Sequence, residues 1–188
     1  MNAFFSSVLP IALAEIGDKT QLLTLFLATR FARKYAIIGG MLCATLLNHL
    51  VSAWFGIEVA RFFTPQLMGW IVGCSFLIVG LWLLKPDKQD GLDTRFMRYG
   101  PFMATLILFF LAEVGDKTQI ATILLAAQYQ NLTAIVLGST VGLLLANVPV
   151  IFLGNWLMAR LPFKGIRLGA CILFCLLGLF TLFQTWMH

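Results

Sequence analysis

The sequence predicts an all-α integral membrane protein, six transmembrane helices arranged as two inverted three-helix repeats. Three observations carry this. Of 188 residues, 60% are hydrophobic and 11% charged, whereas soluble domains average about 45–50% apolar and about 25% charged residues. The mean hydropathy is +0.92. The apolar residues fall into six runs, and the stretch AEIGDKTQL at 14–22 returns as AEVGDKTQI at 112–120.

The runs are 4–28, 36–60, 66–84, 101–127, 133–157 and 166–186. Each is long enough to cross about 30 Å of hydrocarbon at about 1.5 Å per residue. Helices are expected throughout, because a spanning segment must satisfy its own backbone hydrogen bonds. The first run contains ALA at 12–14 but lacks a basic leader, and its motif recurs within 101–127, so it is read as a retained membrane helix. Pro10 in the first run and Pro149 in the fifth are expected to kink their helices. In the third, Gly69 and Gly73 form a small-xxx-small face suited to close packing, within the chain or between chains. Trp54, Trp70, Trp82, Trp156 and Trp186 fall mostly toward run ends, as interfacial anchors do.

Ten of the thirteen Lys and Arg lie in alternate loops: Arg30, Arg33, Lys34, Lys85, Lys88, Arg95, Arg98, Arg160, Lys164 and Arg167. Opposite them stands only Arg61, paired in sequence with Glu58. The positive-inside rule makes the basic loops cytoplasmic and leaves both termini outside a cell (inner) membrane. This sorting accounts for the net charge of +5 without a nucleic-acid partner. Cys43, Cys74, Cys171 and Cys175 all lie in apolar runs, which speaks against a disulfide framework or zinc site.

The halves are offset by 98 residues, and eleven of sixteen positions are identical between 13–28 and 111–126. Gly40 matches Gly138, Gly80 matches Gly178 and, with one residue inserted, Asn48 matches Asn147. The expected organisation is 1–84 as the first repeat, 85–100 as a polar cytoplasmic linker and 101–188 as the second repeat. Three spans per repeat invert the second copy, the layout of many secondary transporters, whose sites lie near the bilayer midplane.

The charged residues of the runs then need a reason. Glu15 lies about eleven residues into its span, roughly 16 Å deep, and Glu113 lies at a matching depth. An unpaired charge there costs at least about 2.5–3.5 kcal/mol. On a continuous helix Glu15 and Asp18 share a face, as do Glu113 and Asp116, with Gln21 and Gln119 extending it. Lys19 follows Glu15, and Lys117 follows Glu113, at the i,i+4 spacing of an intrahelical pair. Gly17 and Gly115 weaken the helix, and Thr20 and Thr118 add hydroxyl oxygens if it opens.

Four carboxylates and two charge-balancing lysines leave −2, which one divalent cation or two protons would neutralise. Carboxylate, amide and hydroxyl oxygens suit a hard cation such as Ca²⁺, Mg²⁺ or Mn²⁺. Asn48 and Asn147 are further candidate ligands. A second reading, in which the acids and lysines serve as interhelical glue, stays open. His49 has no counterpart in the second half and is expected to pack between helices.

EIGDKT at 15–20 and EVGDKT at 113–118 resemble the E-x-G-D-[KR]-[TS] signature of a family of small membrane proteins. That family includes the Golgi Ca²⁺/Mn²⁺:H⁺ antiporters and bacterial manganese exporters, within the cation/Ca²⁺ exchanger group. The resemblance runs from residue 4 to residue 186. It implies export of divalent cations, Mn²⁺ first and Ca²⁺ as the alternative, with protons or Na⁺ as counter-ion and no permanently bound cofactor. It carries the acidic roles onto Glu15, Asp18, Glu113 and Asp116. Alternating access, one half moving against the other, is the expected mechanism. An exporter of small organic cations or amino acids is the alternative class. No HExxH, GxSxG or Ser/His dyad points to an enzyme. No oligomeric state follows from the sequence.

Overall fold

The computed structural model describes residues 2–85 and 94–187. The regular elements among them are all helical: α1 (Ala3–Glu15), α2 (Lys19–Arg30), α3 (Lys34–Ala60), α4 (Pro65–Leu83), α5 (Gly100–Glu113), α6 (Lys117–Tyr129), α7 (Leu132–Arg160) and α8 (Phe163–Met187). A 3-10 turn, Thr94–Tyr99, leads into α5. Residues 86–93, with Lys88 and half of the expected linker, lie outside the described residues.

Among the described residues five segments are long and apolar enough to cross a membrane: Lys34–Ala60, Pro65–Leu83, Arg95–Glu113, Leu132–Gly154 and Phe163–Met187. The chain is an all-α, multi-pass membrane protein. The first and fourth expected spans, however, are not continuous. Each is split at its motif, into α1 and α2 of 13 and 12 residues and into α5 and α6 of 14 and 13 residues. Each piece covers roughly half a bilayer at about 1.5 Å per residue.

The polarity pattern is that of a membrane protein. Phe55, Ile78, Leu81, Leu176 and Phe183 lie on the outside, whereas Glu15, Thr20, Asn48, Glu113 and Asn147 are buried. Lipid solvates the apolar exterior, and the polar groups must find partners within.

Local chemistry sets the helix starts. Thr64 caps α4 by accepting from Leu67 N–H at 3.3 Å, with Pro65 in the first turn. Asn131 caps α7 by accepting from Ala134 N–H at 3.1 Å. Pro149 lies inside α7, but the non-helical residue of that helix is Gly154 (φ 48°, ψ −131°).

The helices of one half pack chiefly on those of the other: α1 along α7, α3 along α5 and α6, α3 across α7, and α4 along α8. Small residues permit these approaches. Gly40 sits against the α5 backbone at Phe102, Gly142 against the α1 backbone at Val8, and Gly73 against Gly178 and Leu182. Gly69 faces Thr185, so the α4 small-residue face packs within the chain. Phe76 of α4 meets Phe174 of α8 edge-on, centroids 6.0 Å apart. The halves are therefore interlocked. The Glu58–Arg61 pair forms as expected, at 2.7 Å, and all four cysteines are free.

Candidate metal centre

The breaks are type II β-turns. Ile16 has φ −68° and ψ 116°, Gly17 has φ 86°, and Asp18 N–H donates to Glu15 C=O at 3.1 Å. Val114 has φ −64° and ψ 121°, Gly115 has φ 77°, and Asp116 N–H donates to Glu113 C=O at 3.1 Å. A type II turn needs positive φ at its third residue, the position each glycine fills. The expectation that Glu and Asp share one face of a continuous helix is thereby corrected. Glu ends one half-helix, and Asp begins the next.

The glutamines hold the turns. Gln21 Oε1 accepts Gly17 N–H at 3.0 Å, and Gln119 Oε1 accepts Gly115 N–H at 2.7 Å. Gln21 Nε2 also donates to Ala146 C=O at 3.0 Å, tying the first turn to α7. Both amide oxygens accept a backbone N–H of their own turn. Asp18 and Asp116 stand at N-cap positions yet make no capping hydrogen bond.

Three of the four motif acids converge. Glu15, Glu113 and Asp116, 0%, 0% and 4% exposed, each offer a carboxylate oxygen within 4.8 Å of the others. Thr20 Oγ1 donates to Glu15 Oε2 at 2.6 Å, and Asn147 Nδ2 donates to the same oxygen at 3.2 Å. Thr118 Oγ1 stands 3.1 Å from Glu113 Oε2 and 3.2 Å from Asp116 Oδ2. Glu15 Oε1 and Glu113 Oε1 are buried with no hydrogen-bond partner among the described residues. Burying such acceptors unsatisfied is costly, and a cation between them would remove the cost.

The remaining expected residues are placed less centrally. Asp18 is buried but outside the trio. Asn48 Nδ2 donates to Phe110 C=O at 3.1 Å, so it braces α5 below Glu113 instead of touching a carboxylate. Asn147, its sequence match, does touch Glu15, and Thr24 Oγ1 lies 3.0 Å from Asn147 Oδ1. His49 is buried with Nδ1 3.3 Å from Thr140 Oγ1, in a packing position.

The lysines correct a second expectation, because neither forms the predicted i,i+4 pair. Lys19 Nζ lies 3.5 Å from Asp116 Oδ1, across the interface between the halves. Lys117 Nζ donates to Lys85 C=O at 2.9 Å and lies over the Trp82 ring, 6.0 Å from its centroid. Once the helix breaks, the i,i+4 geometry disappears. Two further residues were missed by the sequence reading. Arg167 Nη2 donates to Gly17 C=O at 3.1 Å, and Phe163 packs on Gly17. Nothing local links position 17 to the start of α8; only the fold does.

Comparison with known proteins fits this centre. The family model described as "Divalent cation/proton antiporter GDT1" matches residues 3–91 and 101–188. The chain is 46% identical to a Vibrio cholerae protein described as "Putative manganese exporter", over 97% of this chain and 92% of that one. A GDT1-like protein of Synechocystis is 26% identical over 94% of each chain. GDT1-like protein 5 of Arabidopsis thaliana is 25% identical over 95% of this chain and 94% of its own. No solved structure matches. The chain belongs to the GDT1 family, a family of divalent-cation transporters and not of enzymes.

Proposed function

We propose that this protein exports Mn²⁺ from the cytoplasm in exchange for protons, binding the ion between Glu15, Glu113 and Asp116. The observation that carries the reading is the pair of buried, unpartnered oxygens, Glu15 Oε1 and Glu113 Oε1, on carboxylates that converge from two broken helices. Three ionised carboxylates with the Lys19 ammonium beside them give −2 before cargo arrives, a field that attracts a divalent cation. Thr20, Thr118 and Asn147 orient the carboxylates, and Asp18 supports the field from outside the trio. The cation is cargo, so no permanent cofactor is assigned. Ca²⁺ is the second candidate, since an all-oxygen donor set suits it equally well. Na⁺ is the second candidate counter-ion.

In this reading 1–84 and 101–188 are inverted repeats joined by a cytoplasmic linker, the basic loops face the cytoplasm of a cell (inner) membrane, and both termini lie outside. The site faces inward to take up Mn²⁺. Facing outward, it meets protons that compete for the same oxygens and release the ion. Moving two charges outward against 100 mV costs about 4.6 kcal/mol, and return of two protons removes that electrical cost.

The test is Mn²⁺ efflux from reconstituted vesicles with and without an imposed pH gradient, for wild type and Asp116→Asn. Flux that follows the gradient and is lost in the variant supports the reading. Equal flux in both proteins would make the carboxylates structural. Replacing the pH gradient by a Na⁺ gradient separates the two counter-ions, and Ca²⁺ competition ranks the two cargoes.

A further inference from the structure

The two motif lysines occupy identical places in identical turns and yet point to different things. Lys117 is buried and engaged with the end of α4, through Lys85 C=O and the Trp82 ring. Lys19 instead crosses to the other half and sets its ammonium 3.5 Å from Asp116 Oδ1, one of the three acids of the cation site. The helix gives Lys19 no reason to be there. It is the first residue of α2, where the positive end of the helix dipole disfavours a cation. Its side chain is 30% exposed while that of Asp116 is 4% exposed, so the ammonium has somewhere to withdraw to and the carboxylate does not.

We propose that Lys19 is a tethered monovalent cation that holds the empty site, yields Asp116 to the incoming divalent ion, and thereby sets the selectivity of the site for divalent over monovalent cations. This rests on the metal-site reading above. The charges favour the exchange. Before cargo arrives, three ionised carboxylates hold the ammonium. Afterwards a 2+ ion cuts the charge of the carboxylates from −3 to −1, which weakens their hold on the ammonium and lets it withdraw. A free Na⁺ gains no such advantage, because it brings the same single charge as an ammonium that is already present and tethered. Removing the ammonium should therefore do two things. Divalent ions should bind more tightly, and Na⁺ should become a competitor.

The experiment measures Mn²⁺ binding to purified full-length protein at low and high NaCl, with N-methyl-D-glucamine chloride holding ionic strength constant, for wild type, Lys19→Gln and Lys117→Gln. The expected result is at least tenfold tighter binding in Lys19→Gln at low Na⁺, lost at high Na⁺. Wild type and Lys117→Gln should be insensitive to Na⁺. Unchanged or weaker binding in Lys19→Gln, still insensitive to Na⁺, would overturn the proposal. Absence of Mn²⁺ binding by wild type would instead overturn the metal-site reading itself. A measurement on wild type covers the case in which Lys19→Gln does not fold: acylation of Lys19, followed by peptide mass spectrometry, should speed up when Mn²⁺ saturates the site, with Lys117 unaffected. Slower or unchanged labelling of Lys19 would show that the ammonium stays in place.

Discussion

The stretches 14–22 and 112–120 differ at only two of nine positions, Ile16 against Val114 and Leu22 against Ile120. Both fold into the same turn, with the same glutamine bonded to the same glycine N–H. Their surroundings nevertheless differ. Glu15 is held by Thr20 and Asn147, whereas the asparagine matching Asn147 in the other half bonds the α5 backbone. Gly17 is backed by Phe163 and Arg167, whereas among the described residues nothing packs where a side chain on Gly115 would point. Lys19 enters the site and Lys117 turns to α4. The motif encodes a turn and a set of oxygens; the neighbouring helices decide what each copy does with them. A symmetric sequence thus builds an asymmetric site.

Neutralising the carboxylates should have the largest effect and should cut across the symmetry. Glu15→Gln, Glu113→Gln and Asp116→Asn should each weaken Mn²⁺ binding by about 3 kcal/mol or more, roughly 100-fold, as loss of one member of a buried charge network does. Asp18→Asn, outside the trio, should lose markedly less. Titration calorimetry in detergent checks this, and equal losses for Asp18 and Asp116 would restore the symmetric site.

Backbone strain comes next. An alanine at Gly17 or Gly115 adopts positive φ at a cost of about 1–2 kcal/mol. Gly17→Ala should lower the melting temperature further, because its Cβ would run into the Phe163 ring. Thermal unfolding by intrinsic fluorescence reads the difference. Matching shifts would mean that α8 does not press on the first turn.

The smallest effect concerns the matched asparagines. Asn147→Ala removes a hydrogen bond to Glu15 and should weaken cation binding by about 1–2 kcal/mol, as loss of a hydrogen bond to a charged group does. Asn48→Ala should change stability more than affinity, since Asn48 bonds backbone.

Much of this was legible in the sequence. Apolar runs of bilayer length and the repeated motif gave the helices and singled out Glu15, Asp18, Glu113 and Asp116 alike. The breaks were legible in principle, because a Gly between Glu and Asp is the third residue of a type II turn. Reading the i,i+3 spacing of the acids as a helical face obscured that signal, and it also produced the two lysine pairs that do not form. The glutamines' hold on the turns became visible only once the glycine N–H groups were seen to leave the helix. Arg167, Phe163 and the different directions of the lysines were not legible at all. They depend on which end of α4 or α8 meets each turn, a matter of tertiary packing that no local pattern records.

A cation bound between Glu15, Glu113 and Asp116 is tested most directly by an anomalous-difference map from crystals of the wild-type protein grown with Mn²⁺. A single strong peak about 2.2 Å from oxygens of all three carboxylates, in the range of hard-cation coordination, is the predicted result. A peak elsewhere, with the three carboxylates still closed on Lys19 and the two threonines, would contradict it.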